Sequence, residues 1–318
     1  MQFSDHALSL LKSYYLLPYE TEIDQAFERA SKAYCADDYA LADRIYNYVR
    51  QGWFMFSSPI LSNARIKDEE KAKAGLPISC YLTYVSDDLD GLIAHTSENR
   101  WLGVLGGGVG GYWGHVRAVS QKAPGPIPFI KTIDSDVEAY RQGKTRRASY
   151  AAYLDIDHPD IIEFLNLRLP TGGDTNRKAF NLHNAICLSD AFMQAVIDNS
   201  SWDLIDPHTS ETRETVRARE LWERILEVRF RTGEPYLMFK DTANRALPQA
   251  LKDQGLQIHS SNLCLAGSER VVTNRGYLTA QELYEQGGEL EIFDGLIAQK
   301  ASEMLSLIHI SEPTRQAE

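Results

Sequence analysis

The chain has 318 residues, 43% apolar and 24% charged, the composition of a soluble globular protein long enough for two domains, which excludes global disorder. Its net charge of -11 excludes a duplex nucleic-acid binder, whose phosphate contacts need clustered Lys and Arg, yet leaves room for a nucleotide pocket with a few local basic residues. No apolar run reaches membrane-spanning length, and Met1-Gln2-Phe3-Ser4-Asp5-His6 lacks the basic start of a signal peptide, so a cytoplasmic protein without a membrane partner is expected.

Helical spacing recurs through residues 1–52, at Ala7 to Lys12, at Ala26 to Ala30 and from Tyr39 to Val49, with Asp37 or Asp38 as the cap of the third helix. This predicts a small helical lead-in domain. Ser57-Ser58-Pro59-Ile60-Leu61-Ser62-Asn63 reads as extended and turn-rich, and Ile66 to Ala74 as a charged surface segment. Residues 78–85 read as a buried strand closed by Ser86-Asp87-Asp88, followed by a helix from Leu89 to Leu102. The strand-then-helix pattern repeats at 153–156 with 161–165, and at 185–189 with 191–197. Another helix runs from Leu221 to Arg231, up to Gly233-Glu234-Pro235. Such alternation predicts an α/β layered or barrel architecture.

Four cysteines, Cys35, Cys80, Cys187 and Cys264, are far apart and form no CxxC pair, so neither a zinc cluster nor a disulfide scaffold is expected. Gly106-Gly107-Gly108-Val109-Gly110-Gly111 matches GxGxxG literally. The dinucleotide fold needs a strand before that motif and a helix after it, whereas here a helix precedes it and the strand-like stretch Tyr112 to Val119 follows. A glycine-dense strand instead lets backbone come close to a ligand or another strand. Gly143-Lys144-Thr145 lacks the glycine run of a phosphate loop. Arg141, Lys144, Arg146 and Arg147 form a loop-borne basic cluster suited to an anion or a nucleotide phosphate. Asp155, Asp157, His158 and Asp160 fit helix capping beside Pro159 better than a metal site, and no metal is expected.

These segments together resemble the large, catalytic subunit of ribonucleotide reductase, in a short form like those of phages. The likeness is carried by Ser57 to Asn63, Leu76-Pro77-Ile78-Ser79-Cys80, Gly106 to Gly111, Arg141 to Arg146, His158-Pro159-Asp160-Ile161 and Ser261-Asn262-Leu263-Cys264, in the family's order. The resemblance implies a ten-stranded α/β barrel whose first part occupies residues 53–263. It implies radical reduction of ribonucleotides to deoxyribonucleotides, in which a thiyl radical takes the 3′-hydrogen and a dithiol supplies two electrons while closing to a disulfide. On this likeness Cys80 is one member of that dithiol, with its partner beyond this chain. Asn262 bonds the substrate, and the thiyl position is Cys264. Ser58, Ser79 and Gly108 line the substrate pocket, and Asp87, Leu89, Arg117 and Arg146 align with allosteric contacts to nucleoside triphosphate effectors. The family also implies a radical from a metal-containing small subunit or from cobalamin, thioredoxin or glutaredoxin as reductant, and a homodimer when intact. No cofactor is expected to bind this segment directly.

The likeness breaks after Asn-x-Cys. The family places a glutamate general base two residues after the cysteine, and Ala266 stands there. From Cys264 the sequence resembles the start of an intein, continued by Gln281-Glu282-Leu283 and Phe293-Asp294-Gly295, so Cys264 is also a candidate splicing nucleophile that takes the acyl group of Leu263. Residues 264–304 are therefore expected to be a β-rich intein start. The tail, residues 305–318 with Leu305-Ser306-Leu307-Ile308-His309-Ile310, resembles translated sequencing adapter and carries no biological reading.

Overall fold

A computed structural model describes residues 5–66, 75–140, 148–262, 270–273, 276–279, 291–293 and 298–300. It divides into two compact units, one containing the amino-terminal helices and the other the span from Cys80 to Leu263.

The first unit is built on four helices, α1 (Asp5–Tyr15), α2 (Ile23–Ala33), α3 (Tyr39–Gln51) and α4 (Ser58–Asn63). Leu11, Ile23, Phe27, Val49 and Leu61 fill its core. Asp38, of the two candidates, caps α3 by accepting the Leu41 amide at 2.8 Å. The helix α4 corrects the extended reading of Ser57 to Asn63. Pro59 lies in its first turn, where a missing N–H costs nothing and the fixed φ favours a helix, and Leu61 is drawn into the core. Arg29 ties the unit together. It is 4% exposed, and its five N–H donors reach Glu20 twice and the carbonyls of Tyr15, Leu61 and Ala64. A buried guanidinium is tolerable when every donor is met in this way.

The second unit contains a five-stranded parallel sheet, β1 (Cys80–Tyr84), β2 (Gly108–Tyr112), β3 (Ser149–Asp155), β4 (His183–Leu188) and, joining β4 last, β7 (Tyr236–Phe239). Between β4 and β7 the chain makes helix α8 (Asp190–Ile197) and an antiparallel hairpin, β5 (Ser201–Ile205) with β6 (Thr212–Arg217). Helices α5 (Leu89–Val104), α6 (Ile127–Ala139), α7 (Ile161–Asn166) and α9 (Ala218–Thr232) supply the crossovers that parallel pairing requires. Their apolar faces, with Ile130, Ile133, Phe164, Leu221 and Ile225, pack with Val109, Tyr150, Leu154 and Ile186 of the sheet into one core. After β7 come the short helices α10 (Lys240–Arg245) and α11 (Gln249–Lys252).

Two expectations fail locally. The strand at 78–85 is not buried: β1 is an edge strand, and Leu82 and Tyr84 are 57% and 53% exposed, because no strand pairs with its outer side among the described residues. The strand-like stretch Tyr112 to Val119 ends as a strand at Tyr112. Trp113 still donates its amide to Tyr153 O at 2.8 Å, and beyond it the chain turns away; the buried Trp113 ring donates Nε1–H to the Tyr150 hydroxyl at 2.9 Å.

A separate antiparallel sheet comes later in the chain than the second unit's main span. Its strands are β8 (Arg270–Thr273), β9 (Gly276–Thr279), β10 (Glu291–Phe293) and β11 (Ala298–Lys300), in the order β11-β10-β8-β9. Among the described residues no helix is long and apolar enough to cross a membrane.

Candidate active site

Register decides which side chains share a face of the parallel sheet. Cys80 pairs with Gly108 and Gly108 with Ser149, so the first residues of β1, β2 and β3 form one row. Strand side chains alternate, and this row therefore shares its face with Gly110, Tyr112, Ala151, Tyr153, Asp155, Ala185 and Cys187. The other face meets the helices.

The segment 260–262 runs over the glycine strand on the row's face. Ser260 Oγ donates to Gly110 O at 2.9 Å, and Asn262 Nδ2 donates to Gly108 O at 2.5 Å. A Cβ at Gly110 would stand 2.2 Å from Ser261 O, so glycine is required there for the two backbones to meet. The close approach expected of this glycine run is made by residues 260–262. Cys80 presents a free, exposed thiol one strand spacing, about 4.8 Å, from the glycine that Asn262 holds. An exposed sulfur beside an anchored carboxamide, on strand without side chains, can hold a small polar molecule against the sheet and offer it a thiol. Thus Cys80, Gly108 and Asn262 come together on one face. Cys264 lies outside the described residues.

Toward the carboxyl ends of the strands the same face carries a polar network that the sequence reading missed. Tyr112 donates its hydroxyl to Asp155 Oδ2 at 2.6 Å, Lys240 Nζ lies 3.3 Å from Asp155 Oδ1, and Cys187 Sγ donates to His259 O at 3.4 Å. Burial pushes the Tyr112 phenol and the Cys187 thiol up, and the Asp155 charge adds to both shifts. Cys187 is thus a protonated, unreactive thiol. Burial alone would lower the Lys240 ammonium, but Asp155 and Asp157 outweigh it and the net shift is upward. His259, its ring tilted against Tyr112 with centroids 4.8 Å apart, is lowered by burial and by the neighbouring His115. The signal was available in part: two-residue alternation from Tyr153 puts Asp155 on this face.

The capping reading of Asp155 to Asp160 needs correction. Asp155 serves the network above. Asp160 occupies the N-cap position of α7, but its Oδ2 accepts the Val119 amide at 3.0 Å, because the loop leading to Gly125 passes directly over it. His158 accepts the Asp160 amide on Nδ1 and donates Nε2–H to Val116 O, which fixes a neutral tautomer.

At the far end of β1, Arg117 Nε contacts both oxygens of Asp87, at 3.0 and 2.9 Å, the Arg117 amide donates to the same carboxylate, and His208 Nδ1 lies 3.1 Å from it. Leu89, the first residue of α5, is 67% exposed two positions beyond Asp87. Neither local spacing nor composition marked His208. Ser58 begins α4 with its Oγ 2.9 Å from the Tyr15 hydroxyl, and Ser79 is buried just ahead of β1. Arg146, with Arg141, Lys144 and Arg147, lies outside the described residues.

A helical lead-in unit followed by a parallel α/β unit, with a thiol and an amide on one face of the sheet, defines the class of protein. The sequence profile of the ribonucleotide reductase barrel domain matches residues 78–270, and that of the ribonucleotide reductase all-alpha domain matches residues 1–69. The chain belongs to the ribonucleotide reductase large-subunit family. It is 52% identical over 246 residues to a Frog virus 3 (isolate Goorha) protein named for the large subunit of ribonucleoside-diphosphate reductase, covering 77% of this chain and 42% of that one. It is 39% identical over 302 residues to the ribonucleoside-diphosphate reductase large subunit of Invertebrate iridescent virus 6, covering 92% of this chain and 30% of that one. Among solved structures it resembles the Actinobacillus ureae class Id ribonucleotide reductase alpha subunit, with TM-score 0.65, 28% identity, and coverage of 83% of this chain and 45% of that one. The expected likeness to phage forms gives way to one with iridovirus large subunits. The chain spans less than half the length of each of these relatives.

Proposed function

We propose that the chain is the amino-terminal part of a ribonucleoside-diphosphate reductase large subunit whose reading frame enters an intein at Cys264. The observation that carries the reading is the row of Cys80 and Gly108 with Asn262 laid over it, inside the segment that the barrel-domain profile matches. On this reading the five parallel strands are half of a ten-stranded barrel, whose closure would cover the exposed Leu82 and Tyr84 of the β1 edge. Cys80 is one of the two reducing thiols, Asn262 orients the ribose, and Ser58, Ser79 and Gly108 line the substrate pocket. The radical-bearing cysteine follows Leu263 once the insert is removed. The relatives' names favour a ribonucleoside diphosphate as substrate. They also favour a separate small subunit over cobalamin as radical source. Thioredoxin or glutaredoxin would serve as the dithiol donor.

One feature supports the intein part: the parallel α/β pattern gives way to a small antiparallel sheet after residue 263. Ala266 stands where the general-base glutamate belongs, so this form of the chain does not turn over by itself. Sequencing the source DNA with long reads across the codons from Cys264 onward tests the reading. A frame that continues through an insert ending in Asn and resumes with Cys-x-Glu is expected; a frame that closes without that resumption overturns it.

A second reading, a nucleotide-binding chain without catalysis, is favoured by the Asp87–Arg117 pair beside exposed Leu89, which retains the residues aligned with allosteric nucleotide contacts.

A further inference from the structure

A cleft of about 340 Å³ opens between α7, the loop at 167–178 and the side chain of Arg224 from α9, away from the face that carries Cys80 and Asn262. Lys178 stands in its wall, 7% exposed. The Lys178 ammonium donates to Asn166 O at 2.9 Å and meets no carboxylate among the described residues. A buried ammonium with one carbonyl partner keeps most of its desolvation cost unless an anion joins it. The other charges lining the cleft are already engaged. Arg177 is paired with both oxygens of Glu163, and Asp174 accepts the Asn176 amide. Arg224, whose side chain is 36% exposed, donates to Asn166 Oδ1 at 3.0 Å through one terminal nitrogen and to Glu227 at 3.0 Å through the other, which places a guanidinium at the mouth.

The loop on the opposite side is shaped for an anion. Gly172 and Gly173 both adopt left-handed φ, 80° and 76°, and a Cβ on Gly173 would come within 3.8 Å of Lys178 Nζ, so the loop backbone passes beside the ammonium. Among the described residues the backbone N–H groups of Thr171, Gly172 and Gly173 donate to no backbone carbonyl. Free amides, a buried ammonium and a guanidinium around one open cleft are the donor set that a tetrahedral dianion takes.

We propose that this cleft binds phosphate, either as the free ion or as the phosphoryl group of a small ester, with Lys178 as the buried anchor and Arg224 at the mouth. The site does not depend on reductase chemistry. Isothermal titration of the full 318-residue chain at constant ionic strength, with inorganic phosphate and separately with glycerol 3-phosphate, tests it. Saturable binding above a chloride control is expected, and the tighter of the two ligands tells free ion from ester. Lys178→Met, which keeps the stem volume, should weaken that binding about tenfold, as loss of a charged hydrogen-bond donor does. Arg224→Gln should weaken it by a smaller factor and, being on the surface, decides the matter if Lys178→Met loses its circular dichroism signal. Absence of binding over chloride, or equal affinity in Arg224→Gln and in a folded Lys178→Met, overturns the proposal.

Discussion

His95 shows how a single buried residue sets the pH response. It is 3% exposed, with Nε2 3.0 Å from the Tyr150 hydroxyl, which in turn accepts Trp113 Nε1–H at 2.9 Å. Burial lowers its pKa to about 4, so the folded protein holds it neutral where an unfolded chain, near 6.5, takes up a proton. Between those two values the unfolded state binds more protons. Stability from this group is therefore complete above about pH 6.5 and is lost as pH falls toward 4, by roughly 3 kcal/mol in all. Urea unfolding across that window should show the loss in the native chain. His95→Gln, which cannot titrate, should show a flatter slope, and equal slopes would remove His95 as the cause.

Helix α5 is apolar on two sides. Leu92 and Leu102 pack against the core beside the buried His95, Asn99 and Gly103, while Leu89, Ile93, Trp101 and Val104 are exposed, Trp101 by 70%. At 3.6 residues per turn these four fall on one side of the helix, around Arg100, an exposed apolar cluster of the kind that marks an interaction site. We take it as the contact of the expected homodimer. Light scattering should find the native chain as a dimer and Trp101→Glu as a monomer with unchanged circular dichroism; the same mass for both would move the dimer contact elsewhere. The helix itself was legible in the sequence, as were β3, α7, β4 and α8, because their apolar spacing is strong and local. Spacing could not show which face meets a partner, or that β1 is an edge. Pro59 concealed α4, since Ser-Pro suits both a turn and a first helical turn. The hairpin of β5 and β6 went unread because the β6 sequence, Thr212-Arg213-Glu214-Thr215-Val216-Arg217, is almost wholly exposed and shows no apolar alternation. At the site, the glycine run announced a close approach. The partner in that approach, residues 260–262, lies some 150 positions away and was beyond any local pattern.

At the scale of the whole molecule the proposed reading joins two chemistries at Leu263. The reductase side of the junction is anchored by its own residues: Ser260 and Asn262 hold the carbonyls of Gly110 and Gly108, and Asn244 Nδ2 and Oδ1 hold the backbone of Ile258 at 2.9 and 2.8 Å. None of these bonds uses a residue beyond 262. If Cys264 opens an intein, its thiolate attacks the Leu263 carbonyl, the amide C–N bond breaks as the C–S bond forms, and the freed amine takes a proton. The thioester then exchanges with an added thiol. Incubation with excess small thiol should release a fragment comprising residues 1–263 as its thioester, identified by intact mass. Because the anchors are retained, the released fragment should keep the thermal midpoint of the parallel α/β unit. Cys264→Ala should abolish cleavage while leaving that midpoint in place. An uncleaved native chain under the same thiol would remove the acyl-transfer role from Cys264 and leave the residue to the reductase alone.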